Sequence, residues 1–87
     1  MGLIADYDQE RDVLLVVREG VMIHKMACCD DDAGVLYGWG RDQAFVGVRL
    51  ENARALGSRG WLGSGCRAHI PADIYQGVLE WLLEQEG

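Results

Sequence analysis

Apolar residues in the first fifty positions fall in short alternating or continuous runs split by polar turns, the rhythm of strands rather than helices. Leu3-Ile4-Ala5-Asp6-Tyr7 predicts a first strand, and Asp8-Gln9-Glu10-Arg11 a polar turn whose Asp8 carboxylate can cap the chain reversal. Val13-Leu14-Leu15-Val16-Val17 is continuous rather than alternating, which predicts a central strand covered on both faces. Arg18-Glu19-Gly20 reads as a turn, Val21 to Ala27 as the returning strand, and Asp30-Asp31-Asp32 as a further solvated turn. Gly34 to Trp39 and Gln43 to Leu50, parted by the tight turn Gly40-Arg41-Asp42, complete the strands. Arg11-Asp12 and Arg41-Asp42 each precede an apolar strand ending in Arg and then Glu, a faint echo that suits two stacked hairpins.

After Glu51 the pattern changes. Asn52 to Leu56 predicts a short helix or turn, and the Gly/Ser-rich stretch Gly57 to Gly65 a loop. Pro71 suits the first position of a helix and Asp73 its positive end, so a helix is expected through Ile74 to Glu84. Its apolar residues, Ile74, Tyr75, Val78, Leu79, Trp81, Leu82 and Leu83, sweep an arc of roughly 200°. One sheet face covers less than that, and a second copy of the chain is the simplest further surface. The fold class expected is α+β: an antiparallel β-meander of four or five strands with a C-terminal amphipathic helix, as one domain over residues 1–87.

Composition narrows the functions. A chain of 87 residues has room for one modest core, which oligomerisation commonly supplements. Its net charge of −6 speaks against a nucleic-acid binder, because phosphate neutralisation needs an excess of Lys and Arg. The longest apolar run, Val13 to Val17, is too short to span a bilayer, and the N-terminus has no basic-then-apolar signal pattern. Three cysteines, two of them adjacent at Cys28 and Cys29, offer no disulfide framework and fit a reducing cytoplasm.

The charge is uneven. Between Arg49 and Arg67, four arginines (Arg49, Arg54, Arg59 and Arg67) stand against Glu51, a local +3 that leaves −9 elsewhere. With Trp61 as an apolar anchor, Arg49, Arg54, Arg59 and Arg67 form the candidate interaction set, directed at an anion or at the acidic turn of a second copy. The plain alternative is a set of solvated arginines in a loop. Trp61, Cys66 and His69 form a second candidate, a small pocket in which Arg67 and His69 lie beside the Cys66 thiol. Cys28 and Cys29 face three aspartates, which disfavours a thiolate there. A zinc set of His24, Cys28, Cys66 and His69 is poor, since four residues along a strand span about 13 Å. Asp6, Asp8, Glu10 and Asp12 lack the glycine and glutamate of a calcium loop, and the Gly-rich stretch has no lysine for a phosphate cradle. No cofactor is expected.

Tyr7-Asp8-x-Glu10-x-Asp12-Val13-Leu14, Asp32-x-Gly34-Val35-Leu36 and Phe45-Val46-Gly47-Val48-Arg49-Leu50-Glu51-Asn52-Ala53 together resemble a family of small bacterial proteins described only as a domain of unknown function. Its members open on a YDxExDxL-type hairpin and close on a VGxxLENA-like strand, and the similarity covers residues 7–56. Leu15 departs from the family's aromatic, Arg49 from its Glu, and Gly40-Arg41-Asp42 from its acidic turn. The resemblance implies a β-rich fold and a bacterial origin and transfers no catalytic residue. The function expected is a non-enzymatic, self-associating binding or interaction module, most simply a homodimer. The alternative is a small-ligand binder or hydrolytic enzyme using Trp61, Cys66 and His69.

Overall fold

The computed structural model describes residues 2–28 and 34–86, without the side chain of Cys66. The described chain runs β1 (Leu3–Asp8), β2 (Val13–Arg18), β3 (Lys25–Cys28), β4 (Val35–Trp39), β5 (Phe45–Glu51), α1 (Ala53–Gly63), a 3-10 turn (Gly65–His69) and α2 (Ala72–Glu86). The strands form one antiparallel sheet in the order β1-β2-β5-β4-β3, and the architecture is α+β. Strands β3, β4 and β5 are a meander, but β5 rather than β3 lies beside β2. The residues after Arg18 therefore cross the sheet instead of returning along β2. Val21 to His24 are not strand, and only Lys25–Cys28 pairs, with β4. Gly20, at φ 77°, starts this crossing.

Two glycines permit close approaches here. Gly38 and Gly47 pair across β4 and β5, and Ile23 of the crossing arm lies against Gly38 while β2 crowds Gly47. A Cβ on Gly38 would stand 3.1 Å from Ile23 Cδ1, and one on Gly47 only 2.8 Å from the Val16 carbonyl oxygen. Register shifts beside this pair, where Trp39 meets Phe45 and Val46 is left as the extra, buried residue of a bulge.

Both helices cover one sheet face. Leu14 and Val16 from β2, Val48 and Leu50 from β5, and Val35 and Tyr37 from β4 meet Ile74, Val78 and Leu82 of α2. Tyr75 N–H bonds to the Pro71 carbonyl, so the proline sits at the start of α2, where its missing donor costs nothing. Arg18 forks onto Asp73 in the first turn of the helix.

The stretch expected as a loop, Gly57 to Gly65, is instead helical as far as Gly63. Its composition is a poor guide because Trp61 drives it into the core. That indole is fully buried, stacks on Tyr75 at 5.1 Å and donates its N–H to the Tyr75 carbonyl at 3.2 Å. Gly57 breaks α1 into two pieces at φ 65°, ψ 176°. Each piece is capped by a carboxylate distant in sequence. Asp12 in the β1–β2 turn accepts the Arg54 N–H at 3.0 Å, and its own carbonyl accepts the Ala53 N–H at 3.0 Å. Glu86 accepts the Ser58 N–H at 2.9 Å and the Ser58 hydroxyl at 2.5 Å. With α1 in place, Ile74, Tyr75, Val78 and Leu82 of the wide α2 arc are buried within the chain, Leu79 and Trp81 are partly buried, and Leu83 stays exposed. The expected turn at Asp30 to Asp32, with Cys29, lies outside the described residues.

Candidate interaction surface

Strand residues alternate between faces, so the register fixes what the helices leave uncovered. One row across the sheet is Asp6, Leu15, Arg49, Leu36 and Cys28, on β1, β2, β5, β4 and β3 in turn. The next row holds Ile4, Val17, the two glycines and Met26, and the one on the other side holds Asp8, Val13 and Glu51. Val13, Leu15, Val17, Leu36 and Met26 are half-buried, and Ile4 is exposed. The run Val13–Val17 is apolar on both faces, but it is covered on one only, not on both as its pattern predicts. Among the described residues, its odd-numbered members face outward with no layer over them.

Arg49 stands in the middle of this outer face, between Leu15 and Leu36. Its Nε atom is buried and has no hydrogen-bond acceptor. An orphaned buried donor costs about 1–3 kcal/mol, so it is a place where an external acceptor is favoured. Asp6 stands two strands away in the same row, across Leu15. A hollow of about 230 Å³ lies between them, lined by Asp6, Asp8, Val13, Leu15, Met26 and Arg49. Asp8 is already engaged: it accepts the Glu10 and Arg11 N–H groups and pairs with Arg11 at 3.8 Å. Asp6 caps no such turn and is solvent-exposed.

The other members of the arginine set are dispersed. Arg54 leans over the Tyr7 ring at 5.9 Å and reaches Gln85 at 3.5 Å. Arg59 is exposed on α1, and Arg67 lies over the Tyr75 ring at 5.5 Å. Only Arg49 belongs to the outer face. Trp61 is no surface anchor and lines no open pocket, because it is sealed beneath the helices. His69 is exposed, 6.5 Å from the Tyr37 ring, and the Cys66 side chain lies outside the described set. The buried indole of Trp61 and the exposed imidazole of His69 therefore do not share an open pocket.

Asp6 and Leu15 belong to the outer-face site although the charge asymmetry of residues 49–67 does not point to them. The alternation Ile4-Asp6-Asp8 beside a two-sided strand is the signal that finds them. A larger hollow, about 630 Å³, is an open groove between the crossing arm at Val21–His24 and the turn at Gly40–Asp42. It is edged by His24, Arg41 and Asp42, and Met22 projects beside it at 85 % exposure. Among the described residues, no group of three or more His, Cys, Asp or Glu side chains is placed to hold a metal ion. No helix among them is long and apolar enough to cross a membrane.

Three carboxyls are shifted by their surroundings, all on the helix side. The Arg18 guanidinium holds the Asp73 carboxyl below the usual carboxylate range against a smaller effect of burial. Burial opposes the charge on Asp12, but the Tyr7 hydroxyl, the Arg54 and Ala55 N–H groups and the Arg54 charge outweigh it and lower its pKa. The Ser58 hydroxyl and N–H lower that of Glu86. Tyr7 is raised, chiefly because its hydroxyl donates to Asp12 at 2.6 Å. These groups tie the helices to the sheet; none faces the outer hollow. No family model, curated protein or solved structure matches the chain, so the resemblance over residues 7–56 adds no functional argument.

Proposed function

We propose that the chain is a non-enzymatic, self-associating interaction module. The observation that carries this reading is the outer face of the sheet, a half-buried apolar surface over most of which the described residues place no layer, with an unsatisfied arginine donor at its centre. Sheets with an apolar second face stack on another sheet in sandwiches, about 10 Å apart. The surface that favours association is the strand Val13–Val17 rather than α2, whose central apolar residues are already buried within the chain. A reducing cytoplasm is the compartment proposed, supported by the exposed free thiol of Cys28.

Sedimentation equilibrium up to several hundred micromolar tests the reading. A mass that rises reversibly with concentration is expected, and a monomer throughout overturns it.

A further inference from the structure

We infer that the occupant of the outer face is a second copy of the chain, stacked about a twofold axis that runs along β2, with Arg49 of each copy received by Asp6 of the other. The inference rests on the proposed self-association and specifies its partner and contacts.

The register supplies the geometry. Asp6, Leu15 and Arg49 are consecutive members of one outward-facing row, so Asp6 and Arg49 flank Leu15 symmetrically, one strand to each side. Adjacent strands lie roughly 4.8 Å apart, which puts the β1 and β5 columns about 10 Å from one another. A twofold axis parallel to β2 and above Leu15 exchanges those columns. Leu15 then meets Leu15, and each Arg49 comes to lie over the other copy's Asp6. Two sheets packed face to face stand about 10 Å apart, a gap that an arginine and an aspartate extending toward each other can bridge.

Charge selects this occupant over others. An anionic ligand at Arg49 would also meet Asp6 and Asp8, which line the same hollow. A cationic ligand would meet Arg49. The row through Leu15 carries one sign on β5 and the other on β1, so the best complement of that row is itself in the exchanged orientation; in the next row the same axis sets Glu51 over Asp8, whose charge Arg11 offsets. The hollow of about 230 Å³ beside Asp6 leaves room for the incoming guanidinium. Asp6 is the acceptor of choice because Asp8 is held by the turn it caps. The overlap involves chiefly the β1, β2 and β5 columns, a small interface that falls below about 1,200 Å² in total and so gives weak, transient association.

Charge reversal in separate chains tests it. Arg49→Glu and Asp6→Arg, each alone, are expected to self-associate at least tenfold more weakly than the parent chain, with unchanged far-UV circular dichroism. Mixed in equal amounts they should form a heterodimer of parental affinity or nearly so. In the mixture the introduced glutamate of one chain meets the introduced arginine of the other, while the parental Arg49 and Asp6 still meet across the axis. Recovery on mixing also shows that neither variant had simply failed to fold. Failure of the mixture to recover, or single variants that associate like the parent, overturns the paired geometry. Leu15→Gln separates that failure from failure of the broader reading: if it alone weakens association, the outer face is the interface but the ion pairs are wrong. If the parent itself stays monomeric to several hundred micromolar, both fall. Native mass spectrometry that finds a retained small molecule lost on Arg49→Glu would also overturn the second-copy assignment.

Discussion

Leu14 and Val16 of β2 and Val48 and Leu50 of β5 are almost wholly buried on the helix side of the sheet, while Val13, Leu15, Val17 and Arg49, interleaved with them, stay half-open on the other. The two faces share strands, registers and residue types. What separates them is closure. On the inner face α1 and α2 bury the central apolar side chains, with Leu3, Tyr7, Trp39 and Phe45 partly open at the margins, and each helix is tied down by a polar link: Arg18 to Asp73, Asp12 to the start of α1, Glu86 to Ser58. On the outer face, among the described residues, Ile23 of the crossing arm intrudes over Gly38, and the central polar atom is left without a partner. Stability should therefore reside on one face and association on the other. Substitutions can set the two apart.

The largest effect should come from Trp61→Ala. Removing a fully buried tryptophan costs about 3–5 kcal/mol, much of the stability that a small domain has. Urea unfolding followed by circular dichroism measures it. A loss below about 1 kcal/mol would mean that α1 does not close the inner face. Folded Trp61→Ala molecules at low temperature should still associate with parental affinity, since the indole lies away from the outer face.

How much of this division is legible in the sequence differs from element to element. Period-two runs and the two-sided strand Val13–Val17 are local signals, and they disclose the sheet and its apolar second face. The α2 pattern is equally local. Strand order is not, because the choice of β5 rather than β3 beside β2 depends on a crossing that packs Ile23 against Gly38. Helix α1 is legible only over its first piece; beyond Gly57 its glycines and serines disfavour helix, and the cap on that piece, Glu86, comes from the far end of α2. Once its second piece is missed, the surplus arc of α2 looks like an interface and Trp61 like an exposed anchor. Of the arginine set, Arg49 alone lies on the outer face, because its position in the strand alternation, not its place in a basic stretch, turns it outward.

Gly57→Ala should come next. At φ 65°, ψ 176° this position suits only glycine, and a Cβ would stand 2.9 Å from Glu86 Oε1. Backbone strain of this kind costs about 1–3 kcal/mol, read as a lower urea midpoint with an unchanged slope. A neutral or stabilising result would show that the kink in α1 is not fixed by this glycine. Association per folded molecule should again be unaffected.

Acid should loosen the helix layer by a smaller amount. Asp12, Asp73 and Glu86 have folded pKa values below their unfolded ones. The stability they contribute is therefore present above the unfolded carboxyl pKa, near 4, and is lost as pH falls through the lower folded values. Tyr7 acts at the other extreme: its pKa is raised, so its contribution is present below the unfolded value near 10 and is lost as pH rises through the folded one. Asp12→Asn should make the acid limb of a stability–pH curve shallower by less than about 1 kcal/mol per pH unit, since the carboxyl is largely screened by water. An identical acid limb in the variant would remove Asp12 from the ties that hold the inner face.

The smallest expected effect discriminates most sharply between the faces. Arg59→Ala and Arg67→Ala remove two of the arginines that give residues 49–67 their local +3. If bulk charge in that segment steered one copy to another, each should weaken association and flatten its dependence on salt. The fold puts both side chains on the helix layer, exposed, with Arg67 resting on the Tyr75 ring and Arg59 on the same helix as Ser58. A contact such as that of Arg67 with its ring contributes about 0.5–1 kcal/mol at an exposed site. Both variants should accordingly keep the parental association constant, with melting temperatures lowered by a few degrees at most. Arg49→Ala, the same chemical change made on β5, should weaken association clearly. Equal losses from Arg59→Ala and Arg49→Ala in parallel sedimentation runs would place the interface on the helices, and the division of labour between the two faces would fail.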